Sequence, residues 1–185
     1  MADHPRWEEI PEAPLREADA GLVPAGEGWF VVNVAEAQSI RSSEFGDACR
    51  FEDRPALEFP EFGINVRVLQ PGQPNCRYHR ENAQEVALVL SGECVAIVED
   101  RERPMRPGDL LYAPAGTAHV IVGAGSGPCA VLMVGTRKDP EELLYPVSAV
   151  AARYGASVER ETPDEEEAYA DATPRRPVSL RRVPW

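Results

Sequence analysis

Positive charge and histidine are both scarce in this chain, and lysine is almost absent. The 185 residues include 19 Lys and Arg against 31 Asp and Glu, and Lys138 is the one lysine. The formal net charge of −12 and the isoelectric point near 4.7 argue against nonspecific binding to nucleic acid or to an anionic membrane surface. The chain has only three histidines, His4, His79 and His119.

Long apolar runs are also missing. No stretch approaches the roughly 20 apolar residues that a membrane span needs, and the first 19 residues are charged and lack the apolar segment of a signal peptide. The four cysteines are not spaced as a C-x-x-C metal or redox motif; they are Cys49, Cys76, Cys94 and Cys129. We therefore expect a cytoplasmic protein with reduced thiols and no membrane partner.

Short apolar runs separated by turn signals are abundant, and they predict an all-β sandwich or barrel. The clearest alternation runs from Ile64 to Gln70. Its period of two places Ile64, Val66 and Val68 on one face and Asn65 and Arg67 on the other. The aromatic and β-branched residues 29–34 predict a further strand.

The two ends of the chain differ from this pattern. Residues 1–27 are rich in Pro, Glu and Ala, and we expect an arm that is partly disordered or packed over a barrel formed by residues 28–138. Residues 139–185 predict short helices followed by an extended tail. The first helix is expected from Pro146 to Tyr154 with Gly155 as its stop, and a capping box at residues 162–165 is expected to open the second.

Two blocks of sequence carry the strongest functional signal. In residues 71–92, Glu85 is followed by six residues and then Gly92. In the second block, Gly108 is followed by five residues, Pro114, one residue, Gly116, two residues and His119. These spacings resemble the two conserved motifs of the cupin superfamily, whose small single-domain members are β-barrels of the jelly-roll type. The resemblance covers about residues 60–135 and implies this fold here.

Motif 1 of that superfamily has a His-x-His pair, whereas this chain has a single histidine at that place. One alignment makes His79 the second histidine and Arg77 the replaced first, with one extra residue before Glu85. Another makes His79 the first histidine and puts Glu81 in the place of the second. At the end of motif 2, Gly123 stands where the superfamily has asparagine.

The residues retained in both alignments are His79 and Glu85, and His119 joins them from motif 2. Two imidazoles and one carboxylate form the ligand set of a facial site for a divalent transition metal such as Fe, Mn, Ni or Zn, with positions open for water or substrate. Cys76 and Glu81 are neighbours whose participation stays open.

The function is less defined than the site. Cupins of this kind include oxygenases, isomerases and lyases that act on small molecules, and we expect either such an enzyme or a metal-free barrel that binds or senses a small polar ligand. Asn65 and Arg67 either face the interior and contact that molecule or lie on an outer sheet face. The long flanking segments predict a homodimer, because arms commonly cover exposed sheet edges or exchange between subunits.

Overall fold

The computed structural model describes residues 10–53 and 58–180. The barrel strands, in chain order, are β3 (Ser39–Ser42), β4 (Gly46–Arg50), β5 (Phe62–Leu69), β6 (Arg80–Glu81), β7 (Glu85–Ser91), β8 (Glu93–Val98), β9 (Arg101–Met105), β10 (Leu110–Ala113), β11 (His119–Ala124) and β12 (Cys129–Thr136). The flanking elements are β1 (Leu15–Ala18), β2 (Gly21–Pro24), β13 (Leu143–Leu144), α1 (Ala149–Ala152), α2 (Glu165–Ala168) and β14 (Arg176–Val178). No helix among these residues has the length and apolarity of a membrane span.

Two antiparallel sheets make up the barrel. The larger has the strand order β10-β7-β12-β5-β4-β3-β14, and the smaller has the order β11-β8-β9. Between them lies an apolar core that includes Val89, Ala96, Ile121 and Val131. The expected all-β jelly-roll fold is therefore confirmed.

The inner and outer faces of the larger sheet follow directly from strand alternation. The strand expected from Ile64 to Gln70 is confirmed as β5, which pairs with β4 on one side and with β12 on the other. Its residue Leu69 lies in the core between the sheets, whereas Val66 and Val68 pack on the outer face against Leu180. Asn65 and Arg67, at alternate positions with Leu69, therefore point inward.

The chain after β12 covers the barrel from outside. On the smaller sheet, Ala151 and Ala156 pack against Val120 and Tyr78. Ser148 caps α1 by accepting a hydrogen bond from the backbone of Ala151. The C-terminal segment is thus part of the packed structure, and it also adds β14 to the larger sheet.

Several expectations for the flanking segments were wrong. Within residues 10–27, where an arm that is partly disordered or packed over the barrel was expected, β1 and β2 form a hairpin whose Val23 is buried. Residues 29–34 form no strand, because their only pairing is an isolated bridge between Trp29 and Glu12, and Val31 is 77% exposed. Trp7 and Ile10 are the two residues expected to anchor this arm; Ile10 is 65% exposed, and Trp7 lies outside the described residues.

The predicted helices are present but shorter. The helix expected over residues 146–154 is the single turn α1, which does end before Gly155 with its positive φ of 65°. The second helix, α2, is capped by Asp164 and not by Thr162. In both cases the sequence correctly predicted a helix near this place. Each helix is only one turn long, because short helices depend on tertiary packing for their stability.

Gly123 is a position where the fold leaves no room for a side chain. A Cβ built there would lie 2.2 Å from the backbone oxygen of Gln70, because the turn after β5 pairs with Gly123 through two backbone hydrogen bonds. We expect Gly123→Ala to lower the free energy of unfolding by about 2–3 kcal/mol through overpacking.

The matched control for that substitution is Gly127→Ala. A Cβ at Gly127 meets no atom within 4 Å, so its stability should change by less than about 0.5 kcal/mol. Urea denaturation of both variants provides the measurement. Equal stabilities would contradict this account of why asparagine is replaced by glycine at the end of motif 2.

Candidate metal centre

A single pair of backbone hydrogen bonds brings the two barrel histidines together. His79, just before β6, and His119, the first residue of β11, form an antiparallel bridge in which each backbone N–H donates to the other's carbonyl, at 3.2 and 2.8 Å. Their side chains emerge on the same side, with ring centroids 5.1 Å apart. Glu85, the first residue of β7, reaches the same point from the larger sheet.

The three predicted ligands converge on one carboxylate oxygen. Glu85 Oε2 lies 2.7 Å from His119 Nε2 and 3.6 Å from His79 Nε2. One potential ligand atom from each residue falls within 4.8 Å of the others. His119 is buried, and the side chains of the other two are mostly shielded from solvent.

The other nitrogen of each imidazole is held by the backbone. His79 Nδ1 lies 2.9 Å from the carbonyl oxygen of Arg77, and His119 Nδ1 lies 3.0 Å from that of Thr117. A carbonyl only accepts hydrogen bonds, so each Nδ1 carries a proton and the Nε2 of each ring faces Glu85. Glu85 Oε2 is buried, and these two nitrogens lie beside it.

Three electron-rich atoms so close together require a positive charge between them. Burial disfavours charge on His79, but Cys76 and Glu85 outweigh it and raise the pKa of the imidazole well above its usual value. Burial likewise opposes ionisation of Glu85, yet His119 and His79 hold its pKa well below the usual range. A proton or a divalent metal ion can supply the charge, and the donor set of two imidazoles and a carboxylate fits a transition metal.

A cavity of about 530 Å³ opens beside these ligands. Asn65 and Arg67 line it, which decides in favour of the interior position for both. By contrast, Tyr78 is buried in the outer cluster and Tyr112 is 54% exposed on the outer face, so neither borders the cavity. The cavity is large enough for a small organic molecule.

The positions of Arg77 and Glu81 distinguish the two alignments of motif 1. Arg77 turns away from the cavity, and its guanidinium donates to the carbonyl oxygens of Gly155 and Ala168 and pairs with Asp171. Glu81 lines the cavity. The geometry therefore fits the alignment in which Glu81 stands in the place of the second histidine.

Glu81 and Cys76 lie beside the three converging atoms without joining them. Burial, followed by the charge of Glu85, raises the pKa of Glu81 to about 7. The Cys76 thiol lies 3.6 Å from His79 Nδ1, on the side of the ring that faces away from Glu85. Both residues line the cavity and are placed to contact a bound molecule.

Other cavity features escaped the sequence analysis. Gly63 of β5 is paired with Gly135 of β12, and Gly135 is also paired with Glu85 of β7. Because neither glycine has a side chain, the part of the cavity beside the Glu85 carboxylate stays open. Tyr145 and Arg175 also line the cavity and come from the C-terminal segment. The alternation of side chains along β12 could have predicted that Gly135 lies on the inner face. No sequence pattern predicts that Tyr145 and Arg175 lie at the cavity.

Comparison with known proteins agrees with this architecture. A family model described as "Cupin domain" matches residues 65–135. Those residues form a cupin domain. No curated protein matches the chain.

Solved structures show the same fold. A predicted oxalate decarboxylase from Thermotoga maritima is 21% identical, with a TM-score of 0.51 over 58% of this chain and 99% of that one. A polyketide cyclase from Streptomyces resistomycificus is 18% identical, with a TM-score of 0.50 over 58% and 79%. At these identities, the likeness establishes the cupin fold alone.

A sugar phosphate isomerase of the cupin superfamily from Silicibacter pomeroyi is 33% identical. The match covers 52% of this chain and 62% of the isomerase, with a TM-score of 0.46. This chain therefore spans less than two thirds of that relative.

Proposed function

We propose that this cupin is a metal-dependent enzyme acting on a small polar molecule. His79 Nε2, Glu85 Oε2 and His119 Nε2 hold one divalent transition metal ion, of the Fe, Mn, Ni or Zn class, at the base of the cavity. Three protein ligands leave coordination positions free for substrate, as the oxygenases, isomerases and lyases of this superfamily require.

The metal, the backbone carbonyls beside the imidazoles and the two glycines have different roles in this proposed site. The bound metal supplies a Lewis acid or redox centre for an oxygen atom of the substrate. The backbone carbonyls of Arg77 and Thr117 fix the tautomers of the two imidazoles, so that both Nε2 atoms stay available as ligands. The glycines at 63 and 135 keep the space beside Glu85 open for the substrate.

The observation that supports this function is the convergence of three acceptor atoms on a buried point. Glu85 Oε2 is buried and faces the Nε2 atoms of both imidazoles, so the three atoms need a proton or a metal ion among them. Buried polar atoms without partners are rare in folded proteins, and a metal ion bound by all three atoms gives each of them a partner.

The experiment is metal analysis of protein purified without a histidine tag. We expect about one equivalent of a transition metal in the wild type, and loss of that metal in His79→Ala and His119→Ala. His4→Ala removes the third histidine and should leave the metal content unchanged. Equal metal content in all four proteins would refute the assignment.

A metal-free barrel that binds or senses a small ligand is the second candidate. The observation favouring it is that Arg77, at one of the two places for the missing histidine, is committed to contacts outside the cavity. Wild-type protein that stays free of metal after incubation with Zn²⁺, Mn²⁺, Fe²⁺ and Ni²⁺ would favour this candidate over the enzyme.

We also propose that the protein works as a homodimer in the cytoplasm. The described cysteines are all free, which suits a reducing compartment. β10 is the last strand of the larger sheet, and its outward residues Leu110 and Tyr112 are 59% and 54% exposed. A second copy of the chain can cover this apolar edge.

Light scattering tests the assembly. We expect a mass of twice 20.3 kDa for the wild type and a shift toward the monomer for Leu110→Glu. Val147→Glu alters an equally exposed apolar residue, 55% exposed, away from this edge and should remain dimeric. A monomeric wild type would overturn the dimer and would leave the metal site untouched.

A further inference from the structure

Arg67 is a cation placed inside the barrel. It lies on the inner face of β5, directly between Ala48 of β4 and Val131 of β12, and both of these neighbours are buried and apolar. Its Nε donates to Asn65 Oδ1 at 3.1 Å, which orients the guanidinium. Burial lowers the pKa of Arg67, but an arginine side chain stays protonated at physiological pH.

The guanidinium of Arg67 has no ion-pair partner among residues 10–53 and 58–180. Other arginines near the barrel do: Arg137 pairs with Glu52 and Glu58, and Arg77 pairs with Asp171. Arg67 lies near enough to Glu85 to feel its charge, yet that carboxylate is occupied by the two imidazoles. A shielded cation without a partner is costly, so a function that requires it is the natural explanation.

Arg137, Lys138 and Arg175 also line this cavity. Arg175 comes from the C-terminal segment, and it lies close enough to Arg67 for their charges to oppose each other. Two cations this close to each other raise the local positive potential, which favours an anionic ligand beside them. A planar guanidinium whose Nε is already engaged still offers its terminal N–H groups to an oxyanion.

We propose that Arg67, with Arg175, binds an oxyanion group of the substrate, a carboxylate or a phosphate ester. This inference rests on the proposed function, since it makes the substrate a small anion whose other end reaches the ion held by His79, Glu85 and His119. Asn65 is a positioning residue that holds the guanidinium toward the cavity. The substrate class is therefore an organic acid or a phosphorylated small molecule.

Calorimetric titration with inorganic phosphate and with succinate tests the proposal, on both metal-free and zinc-loaded protein. In the metal-free protein, where no ion can bind the anion directly, we expect saturable binding of at least one of the two anions. Arg67→Gln should weaken that binding by about 10- to 100-fold, the range for losing a charge-assisted hydrogen bond. Tighter binding of phosphate indicates a phosphorylated substrate, and tighter binding of succinate indicates a carboxylate.

Arg176→Gln is the matched control, because Arg176 is exposed on β14 and does not line the cavity. Arg67→Lys, which retains the charge, should recover part of the affinity, and Arg175→Gln supplies a second test should Arg67→Gln fold poorly. Absence of anion binding in the wild type, or equal affinity in wild type and Arg67→Gln, overturns the proposal. Metal content measured in parallel separates this failure from failure of the metal site.

Discussion

Glu85→Gln is expected to weaken metal binding more than about 100-fold while preserving the shape of the side chain. In the proposed metal site Glu85 is the one negatively charged residue among the three ligands, and this substitution removes its charge. Outer partners of metal ligands already contribute about 10- to 100-fold to affinity, so loss of a direct ligand charge should exceed that range. Competition of the purified protein against a chromophoric zinc chelator gives the dissociation constants.

Glu81→Gln is the control for this prediction. Glu81 lines the same cavity and carries the same kind of side chain, but it is not among the three residues whose ligand atoms converge. The affinity of this variant for zinc should fall by less than about 100-fold, the range for an outer partner of a metal ligand. A larger loss from Glu81→Gln than from Glu85→Gln would show that the carboxylate ligand has been assigned to the wrong residue.

Removal of the metal is expected to lower the thermal midpoint of unfolding by roughly 5–10 °C. An ion that binds only the folded chain, at about 100 times its dissociation constant, stabilises the fold by about 2.7 kcal/mol. For a chain of this size, each kcal/mol corresponds to about 2–4 °C. Differential scanning fluorimetry with a chelator, followed by addition of excess Zn²⁺, measures the loss and its recovery.

His119→Ala supplies the control for the thermal shift. Since this variant lacks one of the three ligands, its midpoint should respond to neither chelator nor Zn²⁺. An equal response of the variant and the wild type would mean that the metal acts at another place on the chain.

Most of the correct predictions of strands came from residues with a regular spacing in the sequence. The alternation of β5 predicted that Val66 and Val68 lie on one face and Arg67 on the other, because a strand has only two sides. The structure shows that the valine face is the outer one and that Arg67 faces the cavity. The same reasoning failed for residues 29–34, which have strand-forming side chains but no partner strand. A strand depends on its neighbour, and the neighbour is not encoded locally.

The residues of the candidate site likewise include some that the sequence predicted and some that it did not. His79, Glu85 and His119 were predicted by their spacing within two motifs, and the structure brings their ligand atoms together. Arg77 and Glu81 could not be ranked from the sequence, because the backbone before β6 is irregular and alternation does not apply to it. Arg175 and Tyr145 were missed because their place at the cavity depends on how the C-terminal segment folds back over the barrel.

Anomalous diffraction from crystals of the zinc-loaded protein tests the metal site most directly. Data collected above the zinc absorption edge should show a peak about 2.0–2.2 Å from His79 Nε2, from a carboxylate oxygen of Glu85 and from His119 Nε2. An anomalous map without a peak there, with Glu85 still in direct contact with His119, would contradict the metal site on which the proposed function rests.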